Sequence, residues 1–347
     1  MTTPTVIPER LAPELPTAKA SEHGNGSRNA ELRYLRPDEL SVWDAFVDKS
    51  PQGSVFSRSW WLHAIGGRVR ILAYFVGGQL LAGMPLYFDR RYGLEVCTMP
   101  KLTQTLGPIM APVNGRHVNA AWEEMEILST FAKSLSQYSI VFQAFHPSLQ
   151  NWCPFYWNGF TQTSRATHII DLSCIDKVWS GMAHRTRRGV RNAERSGVKV
   201  TTCDPDQAWA AEQKTFALQG MKVPHTVDYL RGLYDAAKAH NGGECFAAVD
   251  AQRRVHAASF MVWDQNRCYA ITMGGDPELR GRGSTSLLVW HMLQFAAGKS
   301  PIFDFTGSML QPVELFLRSF GTTQMHYNWI MKFPLPVRLY LTMRHKI

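Results

Sequence analysis

The sequence lacks the motifs that most directly assign a chemistry. None of its six cysteines stands in a CxxC pair, and its twelve histidines form neither an HExxH motif nor a compact cluster. Zinc knuckles and redox pairs are therefore excluded, and we expect no metal. Scattered thiols of this kind favour a reducing compartment. A GxxxxGK[ST] loop and a GxGxxG dinucleotide fingerprint are also missing.

Long apolar runs are missing as well. No stretch reaches the roughly 18 uninterrupted apolar residues of a membrane-spanning helix. Residues 1–30 carry prolines and polar side chains where a signal peptide needs an apolar segment. We expect a disordered leader over residues 1–30 and a cytoplasmic protein.

Positive charge is what the chain has in excess. Its 347 residues include 37 Lys and Arg against 28 Asp and Glu, a net charge of +9. Such a surface favours anionic partners, among them cofactor phosphates, RNA and lipid head groups. Many basic proteins are nevertheless ordinary soluble enzymes, so charge alone does not choose among these partners.

One order of elements is predicted twice along the chain. A hairpin, a third strand, a helix and a buried strand occur first in "RILAYFVGGQLLAGMPLYF" to "SIVFQAF", and again in "GECFAAVD" to "IFDF". The two copies are offset by about 170 residues. The pattern predicts a mixed α/β fold of two tandem modules around a cleft, residues 31–173 and 174–347, rather than one large sheet.

The stretch "MGGDPELRGRGSTSLLVWHML" places glycines and arginines where a helix begins. A helix start has unpaired N–H groups and a partial positive charge, and glycine lets the backbone approach an anion closely. We interpret the segment as a phosphate site, with an exposed turn as the alternative. The residues concerned are Arg280, Gly281, Arg282 and Gly283, with Ser284 or Thr285 as the helix cap.

A second basic segment, "HRTRRGVRNAER", lies between the predicted modules. Its arginines either form a solvated helix face or contact phosphate or RNA, and both interpretations remain open. They are Arg185, Arg187, Arg188, Arg191 and Arg195. The basic, apolar C-terminal tail either packs on its own module or makes at most a peripheral membrane contact.

The second half resembles a known family. A strand, then "RGRGST" opening a helix, then "IFDF", a helix and a last strand are similar to the acyl-CoA-binding half of the GNAT N-acyltransferase fold. The family's phosphate loop has the form [Q/R]xxGx[G/A]. Arg280, Gly283 and Thr285 match it, except that threonine replaces the small last residue.

A longer resemblance is to the FemAB-like branch of that superfamily, which carries two GNAT-like modules. The matching segments are "SVFSRSWW", "RTRRGVRNAERSGV", "FDFTGSM" and "VELFLRSFG", in that order, within about residues 31–333. The resemblance implies transfer of an acyl group from acyl-CoA, acetyl-CoA first, to an amine such as an amino sugar or a cell-envelope precursor. Family members that build the cell wall use aminoacyl-tRNA, which is the second possibility. A non-catalytic binding module in envelope polymer assembly is the third, and no DNA partner is implied.

The resemblance also implies site residues. A backbone N–H near Met273 and Gly274 would polarise the acyl carbonyl. Asp304, which interrupts an apolar strand, is the first candidate for the general base, unless it only accepts hydrogen bonds from a neighbouring loop. Glu314 is the second candidate base, although a helix's first turn favours glutamate anyway. Tyr327 would donate a proton to the leaving group, unless it only fills the core.

Overall fold

The structure is a computed structural model that describes residues 30–91, 94–112, 117–279 and 283–334, together with residue 337. The predicted leader, apart from residue 30, lies outside these residues, as do Arg280, Gly281 and Arg282 and most of the C-terminal tail. No helix in the part of the chain described here is both long and apolar enough to cross a membrane.

Thirteen strands form a single mixed sheet in the described part of the chain. They are β1 (Ala30–Tyr34), β2 (Arg68–Val76), β3 (Gln79–Arg91), β4 (Leu94–Thr98), β5 (Ile109–Met110), β6 (Val141–Ala144), β7 (Thr161–Asp171), β8 (Lys199–Thr202), β9 (Gly243–Val249), β10 (Val255–Trp263), β11 (Arg267–Gly275), β12 (Ile302–Asp304) and β13 (Thr323–Lys332). Their order is β1-β2-β3-β4-β6-β13-β7-β12-β11-β10-β9-β8, and β5 pairs with β3.

Helices cover both faces of this sheet. They are α1 (Leu40–Lys49), α2 (Ser59–Ala64), α3 (His117–Leu135), α4 (Cys153–Trp157), α5 (Ile175–Gly181), α6 (His184–Arg195), α7 (Pro205–Leu218), α8 (Val227–Ala239), α9 (Ser284–Ala297) and α10 (Gln311–Arg318). Local sequence explains several boundaries. Asp204 and Gln207 form a capping box at the start of α7, and Thr226 accepts a hydrogen bond from the amide of Tyr229 in α8.

The predicted repeat is confirmed. In each half an antiparallel hairpin is followed by a third antiparallel strand, a helix, and a strand parallel to the third. The first copy is β2, β3, β4, α3 and β6, and the second is β9, β10, β11, α9 and β12. Gly77 and Gly78 make the first hairpin turn with φ angles of 57° and 82°, which glycine adopts without strain.

The expectation of two modules rather than one large sheet was wrong in one respect, because the halves exchange a strand. β7 follows β6 in the chain but pairs with β12, while β13 follows β12 but pairs with β6. The exchanged strands also pair with each other, from Thr323 opposite Ile169 to Met331 opposite Thr161. Both modules therefore share a continuous sheet. The division at residues 173/174 stays a prediction.

A shared core also joins the two halves. Trp43, Phe56 and Trp61 are fully buried in one cluster with Phe260 and Tyr269 from the second half. The rings of Phe56 and Tyr269 lie 4.7 Å apart, within the range of favourable aromatic pairs. Apolar side chains from both halves therefore pack together in one core.

A buried ion pair stands where the exchanged strand meets the second half. Asp304 is fully buried at the end of β12, and its Oδ2 lies 2.8 Å from Nη1 of Arg267 on β11. Its Oδ1 accepts hydrogen bonds from the hydroxyl of Thr167 on β7 and from the amide of Thr306, at 2.7 Å. Gln104, from the first half, donates to Oδ1 at 3.4 Å. Four segments therefore meet at this carboxylate.

We expect Asp304→Asn to lower the free energy of unfolding by about 3–5 kcal/mol, since it removes the carboxylate that is hydrogen-bonded to the buried Arg267 guanidinium. Urea denaturation measures this loss. Asp228→Asn is the matched control, because that carboxylate makes an exposed ion pair with Arg231 at 2.6 Å; it should cost about 1 kcal/mol or less. Equal losses for both variants would contradict the role given to the buried pair.

His146 makes stability depend on pH. Burial, with the charge of Arg267 as a second cause, lowers the pKa of His146 from 6.5 to about 3. Between these values the unfolded chain binds a proton that the folded chain does not. Stability should therefore fall as pH drops through this window, by up to about 1.4 kcal/mol per pH unit.

Denaturation at several pH values tests this. His146→Gln should flatten the slope of stability against pH, whereas the exposed His63→Gln should leave it unchanged. If stability depended equally on pH in wild type and in His146→Gln, burial of this ring would not be the cause of the slope.

Candidate active site

The sheet opens where β11 and β12 separate. Their parallel pairing covers only Arg267 opposite Ile302 to Tyr269 opposite Asp304. Just beyond it the register of β11 with β10 shifts, so that Ile271 has no partner on β10. A bulge of this kind bends and twists a strand, and β11 continues for six residues past the last pair. Because β12 itself ends at Asp304, this edge of β11 has no paired strand beyond Tyr269 among the described residues, and we call this unpaired edge the gap.

One side of this gap is covered by α7. A Cβ at Gly274 would overlap the backbone of Ala211 and Glu212, so the glycine lets α7 lie directly on β11. The next residue is anchored to the same helix, because the amide of Gly275 donates to Oγ1 of Thr215 at 2.8 Å. The N–H that would polarise an acyl carbonyl near Met273 and Gly274 stays a prediction.

The helix α9 begins at the mouth of the gap. Its N-cap is Gly283, with φ 77°, so the prediction of Ser284 or Thr285 as the cap was wrong by one or two residues. A Cβ on Gly283 would overlap the carbonyl of Gly189, which places α6 against the first turn of α9. Position 283 thus requires glycine for two reasons: its positive φ, and the close approach of the Gly189 carbonyl.

Ser284 belongs to a hydrogen-bonded chain that the sequence analysis missed. Its Oγ lies 3.1 Å from Nδ1 of His256, and Nε2 of His256 lies 3.1 Å from Oδ2 of Asp250. All three residues are buried. Burial opposes ionisation of Asp250, but hydrogen bonds from His256 and Arg254 outweigh it and hold the pKa of this carboxyl well below its usual range.

This buried chain already engages the Ser284 hydroxyl. An ionised Asp250 only accepts, so Nε2 of His256 carries a hydrogen, and the other ring nitrogen shares a hydrogen bond with Ser284. An anion at the start of α9 would be held by backbone amides and arginines and not by this hydroxyl.

A strained loop follows β12. Thr306 has φ 58°, a conformation unfavourable for a β-branched residue, and its hydroxyl lies 3.0 Å from the carbonyl oxygen of Ala270 on β11. The next residue, Gly307, also has positive φ, and a Cβ there would overlap the carbonyl of Ala166 on β7. The loop therefore contacts β11 on one side and β7 on the other.

Glu314 lines a cavity of about 390 Å³ on the other side of this loop, together with Ser308 and Met309. Its Oε1 accepts a hydrogen bond from Nε of Arg318 at 2.5 Å. The same oxygen lies 3.5 Å from Nε2 of His168, a buried nitrogen that has no hydrogen-bond partner among the described residues. Burial lowers the pKa of His168, so the ring is neutral at neutral pH.

The three predicted catalytic side chains lie in different environments. Both carboxylate oxygens of Asp304 are engaged in the contacts described above. Glu314 lines a cavity, and Tyr327 is buried on β13. Burial, with the charge of Asp304 as a second cause, raises the pKa of Tyr327 to about 12, so its hydroxyl stays protonated. The structure does not bring Glu314 and Tyr327 to one point.

The arginines of α6 have no acidic partners among the described residues. None of their side chains makes an ion pair there, and the Arg191 guanidinium lies over the ring of Trp179, at 5.5 Å. Arg185 lies one turn before Gly189, and Arg188 is its immediate neighbour. Because Gly189 touches Gly283, Arg185, which shares the helix face of Gly189, lies near the start of α9.

Comparisons with known proteins agree with this architecture. Residues 180–309 match the family described as an acetyltransferase (GNAT) domain. Among solved structures the chain is similar to FemX, with a TM-score of 0.63, 14% identity, and coverage of 90% of this chain and 99% of that one. No curated protein matches the sequence.

Two further structures share the fold. A tandem GNAT protein from the clavulanic acid biosynthesis pathway has a TM-score of 0.52 at 12% identity, covering 87% of this chain and 98% of that one. L-PGS from Bacillus licheniformis has a TM-score of 0.51 at 14% identity, covering 90% and 97%. Residues 180–309 therefore match a GNAT domain family, and the chain shares the fold of FemX, which confirms the resemblance predicted from sequence.

The contact between α6 and α9 gives a matched pair of glycine variants. Gly283→Ala should destabilise the protein by about 1–3 kcal/mol from its positive φ alone, and more from the overlap with Gly189. Gly189→Ala should cause no loss, because the nearest atoms lie 3.6 Å from its Cβ and alanine favours a helix. Thermal unfolding measures both. Equal destabilisation would mean that the helices are not packed in this way.

Proposed function

We propose that this protein is an N-acyltransferase that moves an acyl group from acyl-CoA to an amine. The observation that carries the proposal is the gap between β11 and β12 with the start of α9 at its mouth. A thioester in such a gap is held in line for attack, and amides at a helix start suit a pyrophosphate. The matching GNAT domain supports the same assignment.

The donor would be held by the segment that runs into α9. Arg280, Gly281 and Arg282 would supply charge and backbone amides, and Gly283 lets the chain turn into the helix. Thr285 lies close to the end of β11, since its Oγ1 is 3.6 Å from the position that a Cβ would take on Gly275. The support for this part of the proposal is the sequence pattern and the position of the helix start.

Glu314 is the better candidate for the general base. A base must come within hydrogen-bond reach of the attacking amine, and this carboxylate opens on a cavity. Asp304 would have to break its ion pair with Arg267 to accept a proton, so we assign it to positioning β12 and the loop beyond it. Tyr327 has the protonated hydroxyl of a leaving-group acid, but it would need an opening toward the gap.

Steady-state kinetics with acetyl-CoA and a panel of amines tests the proposal. Arg280→Ala with Arg282→Ala should raise KM for acetyl-CoA roughly tenfold or more, because each substitution removes a charge-assisted hydrogen bond to the donor. We expect kcat to change little. Arg253→Ala, at an exposed turn, is the control. An unchanged KM would remove the donor role of this segment. Absence of turnover with every amine would favour a non-catalytic binding module.

An aminoacyl-tRNA donor is the second candidate, and the arginines of α6, which have no acidic partners among the described residues, are the observation that favours it. An RNA held by many phosphate contacts should lose affinity steeply, by about a thousandfold or more between 50 and 200 mM salt, whereas CoA binding should weaken only gently. Titration with total aminoacyl-tRNA at several salt concentrations separates the two. Arg185→Ala with Arg188→Ala should then reduce the salt dependence.

The compartment and the partner follow from the same proposal. All six cysteines are free thiols, which fits the reducing conditions of a cytoplasm. Acyl-CoA is available there, and an envelope precursor would be modified before export.

A further inference from the structure

The side chains that line the cavity of Glu314, beside α10, indicate the kind of ligand that it can bind. Besides Glu314 and Arg165, several of the residues that line it have hydrogen-bonding side chains. They include Ser164, Ser308, Gln311, Gln324 and His326. Its volume of about 390 Å³ lies within the range of small-molecule sites. Such a set of hydroxyl, amide and imidazole groups suits a ligand with several hydroxyls.

One oxygen of Glu314 is left for a cation. The hydrogen bond from Arg318 and the approach of His168 both involve Oε1. Oε2 is therefore the acceptor that an ammonium group in the cavity would meet. A charge-assisted hydrogen bond of this kind is stronger than a neutral one.

Among the described residues, the cavity has no cation placed as directly for an anion as Glu314 is for an ammonium group. Arg165 contributes to its wall, but the guanidinium lies 4.2 Å from the ring of Trp329. Arg165 is opposite Tyr327 in the sheet, so its side chain is on the face away from that of its neighbours Ser164 and Ala166. Arg318 is already engaged by Glu314 and Gln324.

The cavity also lies close to the gap between β11 and β12. Thr306 contacts β11, and Ser308, two residues later, lines the cavity. Two trans peptide units span at most about 7 Å, so only the width of this loop separates the two spaces.

We infer that this cavity binds the acceptor, and that the acceptor is a hydroxylated primary amine without an acidic group, such as an amino sugar. Its ammonium pairs with Oε2 of Glu314 and its hydroxyls with the serine and glutamine side chains. The inference rests on the proposed function for the fate of the amine, but binding itself requires no donor.

The test is binding of glucosamine, glucose and glucosamine 6-phosphate to the full chain without acyl-CoA, measured by saturation-transfer NMR and titration. Glucosamine should bind at least about tenfold more tightly than glucose, which lacks the ammonium, and than the phosphate, which meets no cation. Glu314→Gln should weaken glucosamine binding about tenfold or more. Glu123→Gln, an exposed glutamate on α3, should not change it.

A second variant guards against a folding artefact. Ser308→Phe fills the cavity and should abolish binding of all three ligands while circular dichroism stays unchanged. Equal affinity for glucosamine and its 6-phosphate, or wild-type binding by Glu314→Gln, would overturn the inference. Titration with acetyl-CoA on the same samples tests the proposed function separately, because binding of the amine requires no donor.

Discussion

The buried carboxylate of Asp304 is the constraint on which the arrangement of the site depends. It ends β12, pairs with Arg267 on β11, accepts a hydrogen bond from Thr167 on the exchanged strand, and holds the amide of Thr306. A charge removed from water is tolerated only when its oxygens are fully hydrogen-bonded. The same contacts determine where the parallel pairing of β11 and β12 stops, and so where the gap begins.

The exchange of β7 and β13 brings strands from both halves to the buried Asp304 carboxylate. Because each strand pairs with the other half, neither module completes its sheet alone, and the central pair of strands lies under both. The cavity lies on this central pair, and the gap opens one strand further along. A site built on strands from both halves is more rigid than one on a hinge between independent domains.

Sequence predicted the local elements well and the long-range contacts poorly. The hairpin at Gly77 and Gly78, the repeated order of elements and the start of α9 follow from turn residues and periodicity. The surroundings of Asp304 do not, because Thr167 and Gln104 lie 137 and 200 residues away. His256 and Asp250 were missed for a related reason, since a single histidine in an apolar strand carries no motif. The strand exchange has no local signal at all.

Under the proposed function, the charges around the loop after β12 would give the two substrates separate approaches. Arg185 of α6, which makes no ion pair with any described residue, lies near the start of α9, whereas the cavity on the other side presents the carboxylate of Glu314. Opposite potentials would raise the local concentration of an anionic donor on one side and of a cationic amine on the other. Thr306, held in a strained conformation between these spaces, is then the place where acyl group and amine would meet.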